Sequence, residues 1–221
     1  MEHSFYELIP TAFGTMGVVW WETTGGPRVG KTFLDRGPRP MEEVIREDYP
    51  EAERRSSPAI AWLGTRLRRF LEGEAIVFDL AMVALEACGE FQRKVLLAEY
   101  GIPRGWVSTY GRIARHVGAP GAGRAVGTAL AQNPFPIIIP CHRAVRADGQ
   151  IGDYQGGSEM KRALLAMEGW SLRGEKCRCG GCATEAPRRR IEENRDISRA
   201  PPPCPRYYQL RSRADSCLLS T

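Results

Sequence analysis

Pro140-Cys141-His142-Arg143 follows directly on the apolar run Ile137-Ile138-Ile139, and prolines stand at 134, 136 and 140. Proline fixes φ and donates no backbone hydrogen bond, so this stretch reads as neither a helix nor a central strand. It is expected to be a rigid, buried, extended segment that delivers Cys141 to one place. A thiol held so firmly beside a histidine is a candidate nucleophile, because thiolate formation needs a tuned environment and a base nearby. A lone cysteine after an apolar run is also a common small buried hydrophobe. A Cys-His pair alone does not carry from one family to another. The surrounding sequence has to decide.

Upstream, residues 90–100 place Phe91, Val95, Leu96 and Tyr100 on one helical face, and Gly101-Ile102-Pro103 stops that helix. A second helix is expected from Thr109 to about His116 with Ser108 as its N-cap, then a turn at Gly118-Ala119-Pro120-Gly121. A third runs from about Ala122 to Ala131. Two short helices about a Gly-containing turn fit a helix-turn-helix or an ordinary helical hairpin. The third helix is built of small residues, with Arg124 its only charge. Small side chains admit either tight helix packing or the close approach of a nucleic-acid groove, with Arg124 on a phosphate or in the duplex. Downstream, residues 158–168 form a last helix carrying Met160, Leu164, Leu165 and Met167.

The N-terminal part reads as a small α/β domain ending near residue 86. Residues 13–35 look like two strands around Gly25-Gly26-Pro27, and 41–49 like a short acidic helix. Pro58–Leu71 has helical spacing at Ile60, Leu63, Leu67, Phe70 and Leu71, with Pro58 suited to the first turn. Ile76–Leu80 is expected to be a further short strand. Residues 171–221 are rich in Arg, Pro and Ser without an apolar period and are expected to be largely disordered. Their Cys177, Cys179 and Cys182, with Cys204 distant, fall short of the four well-spaced ligands of a structural zinc site.

The 221 residues are 43% hydrophobic, enough for a core. No apolar run reaches the length of a membrane span, and no basic, then apolar, N-terminal leader is visible. Seven unevenly spread cysteines argue against a secreted disulfide framework and for a reducing, intracellular setting. The net charge of +5 is unevenly distributed. Residues 1–90 carry 10 basic and 15 acidic side chains, residues 91–170 carry 10 and 5, and residues 171–221 carry 11 and 6. The segment holding Cys141 is therefore basic, which suits either a polyanion such as nucleic acid or simply a solvated face.

Taken in order, several motifs together resemble the O6-alkylguanine-DNA alkyltransferases (methylated-DNA–protein-cysteine methyltransferases). They are Phe91-Gln92-Arg93-Lys94-Val95, Ser108-Thr109-Tyr110-Gly111, Gly123-Arg124-Ala125-Val126-Gly127, Asn133-Pro134, Pro140-Cys141-His142-Arg143, Gly152-Asp153-Tyr154-Gln155-Gly156-Gly157, and Lys161 through Glu168-Gly169. The resemblance covers about residues 88–170. It implies an N-terminal ribonuclease-H-like α/β domain (1–86), a mostly helical domain with a helix-turn-helix and a reactive cysteine (87–170), and an added basic tail (171–221).

The resemblance also implies residue roles. Cys141 would accept the alkyl group from O6 of guanine, irreversibly and once per protein. His142 would take its proton through a water, Glu168 would orient His142, and Tyr110 would turn the target phosphate and donate to the guanine ring. Arg124 would fill the space left by the extruded base, from a helix in the minor groove whose Ala125, Gly127, Thr128 and Leu130 contact DNA. The pocket would involve Asn133 as a hinge, Pro136 and Tyr154 as walls, Arg143, and the backbone around Ala144, Val145 and Gln155. The implied partner is double-stranded DNA containing O6-alkylguanine, met by a monomer with no cofactor, no metal and no membrane, in the cytoplasm, nucleoid or nucleus.

Two departures stand out. Ala144 occupies a position where the family usually has valine, which implies a wider pocket. The first 87 residues hold no cysteine, so the N-terminal zinc site of some members is not expected. Two other classes compete. Alkyltransferase-like proteins bind damaged DNA without a reactive cysteine, whereas Cys141 is present. A thiol hydrolase would leave the Arg124 helix unexplained.

Overall fold

In a computed structural model of the protein, residues 3–173 and 176–178 are described. The chain opens with three antiparallel strands, β1 (Ser4–Thr11), β2 (Gly14–Thr23) and β3 (Gly26–Phe33). Next come helix α1 (Met41–Asp48), the short strand β4 (Glu53–Arg54) and helix α2 (Pro58–Leu71). β4 pairs parallel to β1, giving the sheet order β3-β2-β1-β4. The sequence pointed to β2 and β3, but β1 carried no comparable signal.

Both faces of the sheet are covered, which explains the unbroken run Val18-Val19-Trp20, all fully buried. Val19, with Tyr6 and Phe33, faces Met41 and Ile45 of α1. Val18 and Trp20, with Phe5 and Ile9, face Ile60, Leu63 and Leu67 of α2. α1 lies so close that a Cβ on Gly17 would stand 2.6 Å from Ile45 Cδ1. α2 starts at Pro58 as its spacing predicts, and the Ser57 side chain accepts from the Ile60 amide at 3.3 Å.

Ile76–Leu80 does not form a strand. The segment is irregular and leads into 3-10 turns at Leu80–Met82 and Leu85–Ala87, with only an isolated bridge between Val29 and Val83. An apolar run this short cannot distinguish a strand from a buried loop.

The second half contains α3 (Glu90–Tyr100), β5 (Ser108–Thr109), α4 (Tyr110–His116), α5 (Gly123–Ala131), β6 (Ala144–Val145) and α6 (Gly157–Met167). Ser108 is not the cap of α4. It lies in β5, paired in parallel with Ala144 of β6, and Thr109 takes the cap position without a side-chain bond. The buried face of α3 is Val95, Leu96, Ala98 and Glu99, whereas Phe91 is 37% exposed. α4 and α5 pack together through the turn at Gly118–Gly121. A Cβ on Gly123 would meet the Gly111 amide at 3.6 Å, so this glycine permits that approach, while Gly127 faces open space.

The halves share one buried cluster running from Phe5 and Trp20 through Phe70 to Val95, Ile113, Val126 and Leu164. Beyond α6, the tail expected to be disordered begins with an antiparallel ladder, β7 (Ser171–Arg173) to β8 (Lys176–Arg178). The expected disorder further on, and the Cys177, Cys179, Cys182 and Cys204 side chains, lie outside the described residues. No helix among the described residues is long and apolar enough to cross a membrane.

Candidate active site

The segment before Cys141 is buried as expected, but it is not extended. Ile137 and Ile138 form a turn bridged by Pro136 and Ile139, and the Ile139 amide donates to the Phe135 carbonyl at 2.8 Å. Ile137 sits at φ 75°, a left-handed conformation that is rare for a β-branched residue and costs about 1–3 kcal/mol. The strain persists because the surroundings fix the turn. β3 holds it from the N-terminal half, where the Thr32 amide donates to Pro134 O at 2.8 Å and its hydroxyl to Pro136 O at 3.1 Å. Three successive isoleucines suggest extension, so only this tertiary grip reveals the turn.

Asn133 ties the end of α5 to the reactive turn. Its Nδ2 donates to Ile139 O at 3.1 Å and to Cys141 Sγ at 3.2 Å, and its Oδ1 accepts from the Phe135 amide at 2.9 Å. Cys141, His142 and Arg143 form one 3-10 turn and are all buried. Burial pushes the Cys141 thiol up to about 12, while the Asn133 donor and the Lys161 charge pull the other way. The thiol therefore rests protonated and shielded.

His142 is fully buried, and its Nε2 bonds Glu168 Oε1 at 3.0 Å. Burial lowers its proton affinity despite the carboxylate, so the ring rests neutral near pH 7. Its Nδ1 has no hydrogen-bond partner. Burial would raise Glu168, but the charges and hydrogen bonds of His142 and Arg143 outweigh it and hold the carboxyl well below the usual range. Phe70 of α2 meets the His142 ring edge-on at 6.2 Å, and Tyr154 does so at 6.4 Å.

Arg143 borders the cleft behind the reactive turn, but its guanidinium is tied down. Its guanidinium is consumed by Glu168 and by Ile102 O, the latter at 2.5 Å, so it clamps the carboxylate. Pro136 is buried in the strained turn. Ala144 and Val145 are buried in β6, and the Gln155 side chain donates to Ala131 O at 2.8 Å and Asn133 O at 2.7 Å. Tyr110 is half-buried at the start of α4, its hydroxyl so close to Gly152 that a Cβ there would stand 2.9 Å away. Burial, then the nearby Glu99, Cys141 and Asp153, push Tyr110 up to about 12, keeping it a proton donor.

On α5, Arg124, Ala125 and Thr128 are exposed and Gly127 is half-buried. Leu130 is only 4% exposed and packs in the core, so it presents no contact surface of its own. A cleft of about 180 Å³ opens behind the reactive turn, lined by Phe70, Ile76, Phe78, Tyr100, Ile137 and Pro140. Neither Tyr110 nor Tyr154 lines it.

Sequence reading missed Thr32, which braces the turn from the other half of the chain, and Glu99, a fully buried carboxyl. Glu99 did leave a signal: it lies three and four residues beyond Leu96 and Val95, on the apolar face of its helix.

A sheet-plus-helices fold with a buried thiol beside an imidazole–carboxylate pair defines the class of cysteine protein to which this chain is assigned, and solved structures share the fold. A Mycobacterium tuberculosis OGT structure in complex with DNA superposes with TM-score 0.59 at 32% identity, over 74% of this chain and 92% of that one. The O6-methylguanine-DNA methyltransferase of Pyrococcus kodakaraensis gives 0.54 at 28% identity, over 75% and 99%. Residues 90–170 match the family described as the DNA-binding domain of 6-O-methylguanine DNA methyltransferase. The methylated-DNA–protein-cysteine methyltransferase of Methanothermobacter thermautotrophicus is 43% identical over 134 residues, 60% of this chain and 75% of the relative. That of Mycolicibacterium paratuberculosis is 42% identical over 127 residues, 57% and 73%. The chain belongs to the methylated-DNA–protein-cysteine methyltransferase family.

Proposed function

We propose that this chain repairs DNA by moving an alkyl group from O6 of guanine to Cys141, irreversibly and once per molecule. The observation that carries the reading is Cys141 held by Asn133 next to the buried His142–Glu168 pair. An alkylated O6 is inaccessible within the duplex stack, so the nucleotide is first extruded, at a cost of a few kcal/mol. α4 and α5 act as the helix-turn-helix, with exposed Arg124 filling the vacated space and the small Ala125, Gly127 and Thr128 allowing the groove to approach. The DNA contact at Leu130 is then made by its backbone at most.

With the base in place, the partnerless Nδ1 of His142 is the acceptor for the thiol proton, relayed by a water, while Glu168 stabilises the imidazolium. The thiolate attacks the alkyl carbon, the carbon–O6 bond breaks, and its electron pair stays with the guanine. Tyr110 supplies a proton to the ring, and Tyr154 and Pro136 wall the base. The N-terminal sheet and its helices serve as a ribonuclease-H-like support that braces the reactive turn through Thr32. The protein acts as a monomer on double-stranded DNA in the cytoplasm or with the chromosome.

The test is intact-protein mass before and after incubation with a duplex containing one O6-methylguanine. The expected result is a gain of one methyl in place of one hydrogen, mapped to the Cys141 peptide and saturating at one per protein. Tight binding to the same duplex with no mass gain would move the chain to the damage-recognition class, and repeated turnover of small esters would move it to the hydrolases.

A further inference from the structure

Glu99 of α3 is a buried carboxyl beside Cys141 for which the transfer scheme has no use. It is fully buried, and neither carboxyl oxygen has a hydrogen-bond partner. The buried Lys161 and Arg143 and the Ala144 amide lie near enough to act on its charge. Ser108 of β5 is 2% exposed, and its hydroxyl also lacks a partner. The β5–β6 register sets Ser108 opposite Ala144, whose carbonyl accepts from the fully buried Lys161 Nζ of α6 at 2.7 Å. Ala144 itself follows the Cys141–Arg143 turn, against which α3 packs.

An ionised carboxylate without hydrogen bonds in such a place is far costlier than the neutral acid. Resting on the transfer reading above, we propose that Glu99 is a positioning residue for the reaction. Kept protonated near Ala144 and Lys161, it leaves the Lys161 charge to favour the Cys141 thiolate, and once ionised it opposes that thiolate.

The charged and titratable neighbours set the sign. Burial pushes Glu99 up to about 8 against the pull of Lys161 and Arg143. The Ala144 amide also favours the charge, from outside hydrogen-bond geometry. Cys141 and, from α4, Tyr110 both feel the Glu99 charge, which raises each of them. α5 also packs on α3, but its only charged side chain, Arg124, is exposed. Below about pH 8 Glu99 is neutral, and its replacement by glutamine removes no charge. Above that pH the wild-type carboxylate holds the thiol protonated more strongly than glutamine does.

The experiment is the single-turnover rate of methyl gain from the O6-methylguanine duplex, pH 6 to 9.5, for wild type and Glu99→Gln. The expected result is equal rates near pH 6.5 and a Glu99→Gln rate higher by roughly three- to tenfold at pH 9, the effect of a shift of up to about one unit on Cys141. Superimposable profiles, or a ratio constant at every pH, would overturn the proposal. If Glu99→Gln does not fold, the wild-type profile decides: a break near pH 8 supports the proposal, and a single thiol ionisation without one overturns it. If neither protein gains methyl, the transfer reading itself fails. The pH profile of iodoacetamide labelling, mapped to the Cys141 peptide, then decides the role of Glu99 by the same comparison.

Discussion

Arg143 and Glu168 form a forked ion pair sealed inside the protein. Arg143 Nε donates to the two carboxylate oxygens at 3.2 and 3.0 Å, and its Nη2 donates to Oε1 at 2.8 Å. The same Oε1 bonds His142 Nε2 at 3.0 Å, and the Gly105 amide reaches Oε2 at 3.4 Å. One carboxylate therefore fixes both side chains that follow the reactive cysteine. The pair costs desolvation, and the extra hydrogen bonds offset it.

Glu168→Gln is expected to be doubly damaging. It leaves the buried Arg143 guanidinium without a counter-ion, costing about 3–5 kcal/mol. It also removes the charge that supports His142 as a base, slowing transfer by roughly 10²–10⁴-fold. Urea denaturation and single-turnover methyl gain measure the two effects separately. A full loss of rate at unchanged stability would mean that Arg143 finds another partner.

The pH dependence of stability is expected to have opposing parts. His142 is buried with its proton affinity lowered, so the unfolded chain takes up a proton near pH 6.5 that the folded chain refuses. Glu168 is held below the ordinary range, so its contribution is complete above about pH 4.3 and declines as pH drops below that. Both signs favour the native state at neutral pH, but Glu99, raised by burial to about 8, acts the other way, its cost being relieved as pH falls from about 8 to about 4.3. Melting temperatures from pH 8.5 to 3 are expected to fall clearly only below about pH 4.3, with Glu99→Gln exposing the His142 slope above it and His142→Asn removing that slope.

Asn133→Ala is expected to cost about 1–3 kcal/mol, because Ile139 O and the Phe135 amide lose a buried partner. Cys141 also loses a donor that favours its thiolate. Transfer is expected to slow at every pH, with duplex affinity unchanged. Gel-shift binding and methyl gain on one preparation separate the two, and weakened binding alone would place Asn133 in the DNA contact instead.

Arg124→Ala is expected to slow repair of duplex much more than reaction with the free alkylated base. Arg124 is exposed on α5 whereas the thiol turn is buried, so its loss is expected to bear on extrusion and not on attack. Equal losses on both substrates would remove the flipping role.

Cys141→Ala is expected to abolish methyl gain while leaving binding to the O6-methylguanine duplex intact. The thiol is small, and Asn133 keeps its bond to Ile139 O without it. Loss of binding together with unfolding would make Cys141 chiefly a packing residue.

The sequence by itself determined the helices and pointed to the candidate reactive group. α2 begins and ends where the apolar spacing of Pro58–Leu71 places it, and α3 spans the expected 90–100. These are local signals: periodicity, a proline at the first turn, and a Gly-Pro stop. Cys141, His142 and Glu168 were legible as an ordered set of motifs, although 26 residues separate His142 from Glu168. Tertiary structure alone decided what each buried side chain faces. The left-handed turn at Ile137 depends on Thr32 more than a hundred residues earlier, the Arg143 fork grips Glu168, and Leu130 turns inward. Glu99 is raised to about 8 by burial, against the pull of Lys161, Arg143 and the Ala144 amide. The field and solvation at a side chain are set by groups brought together only on folding, and no local spacing encodes them.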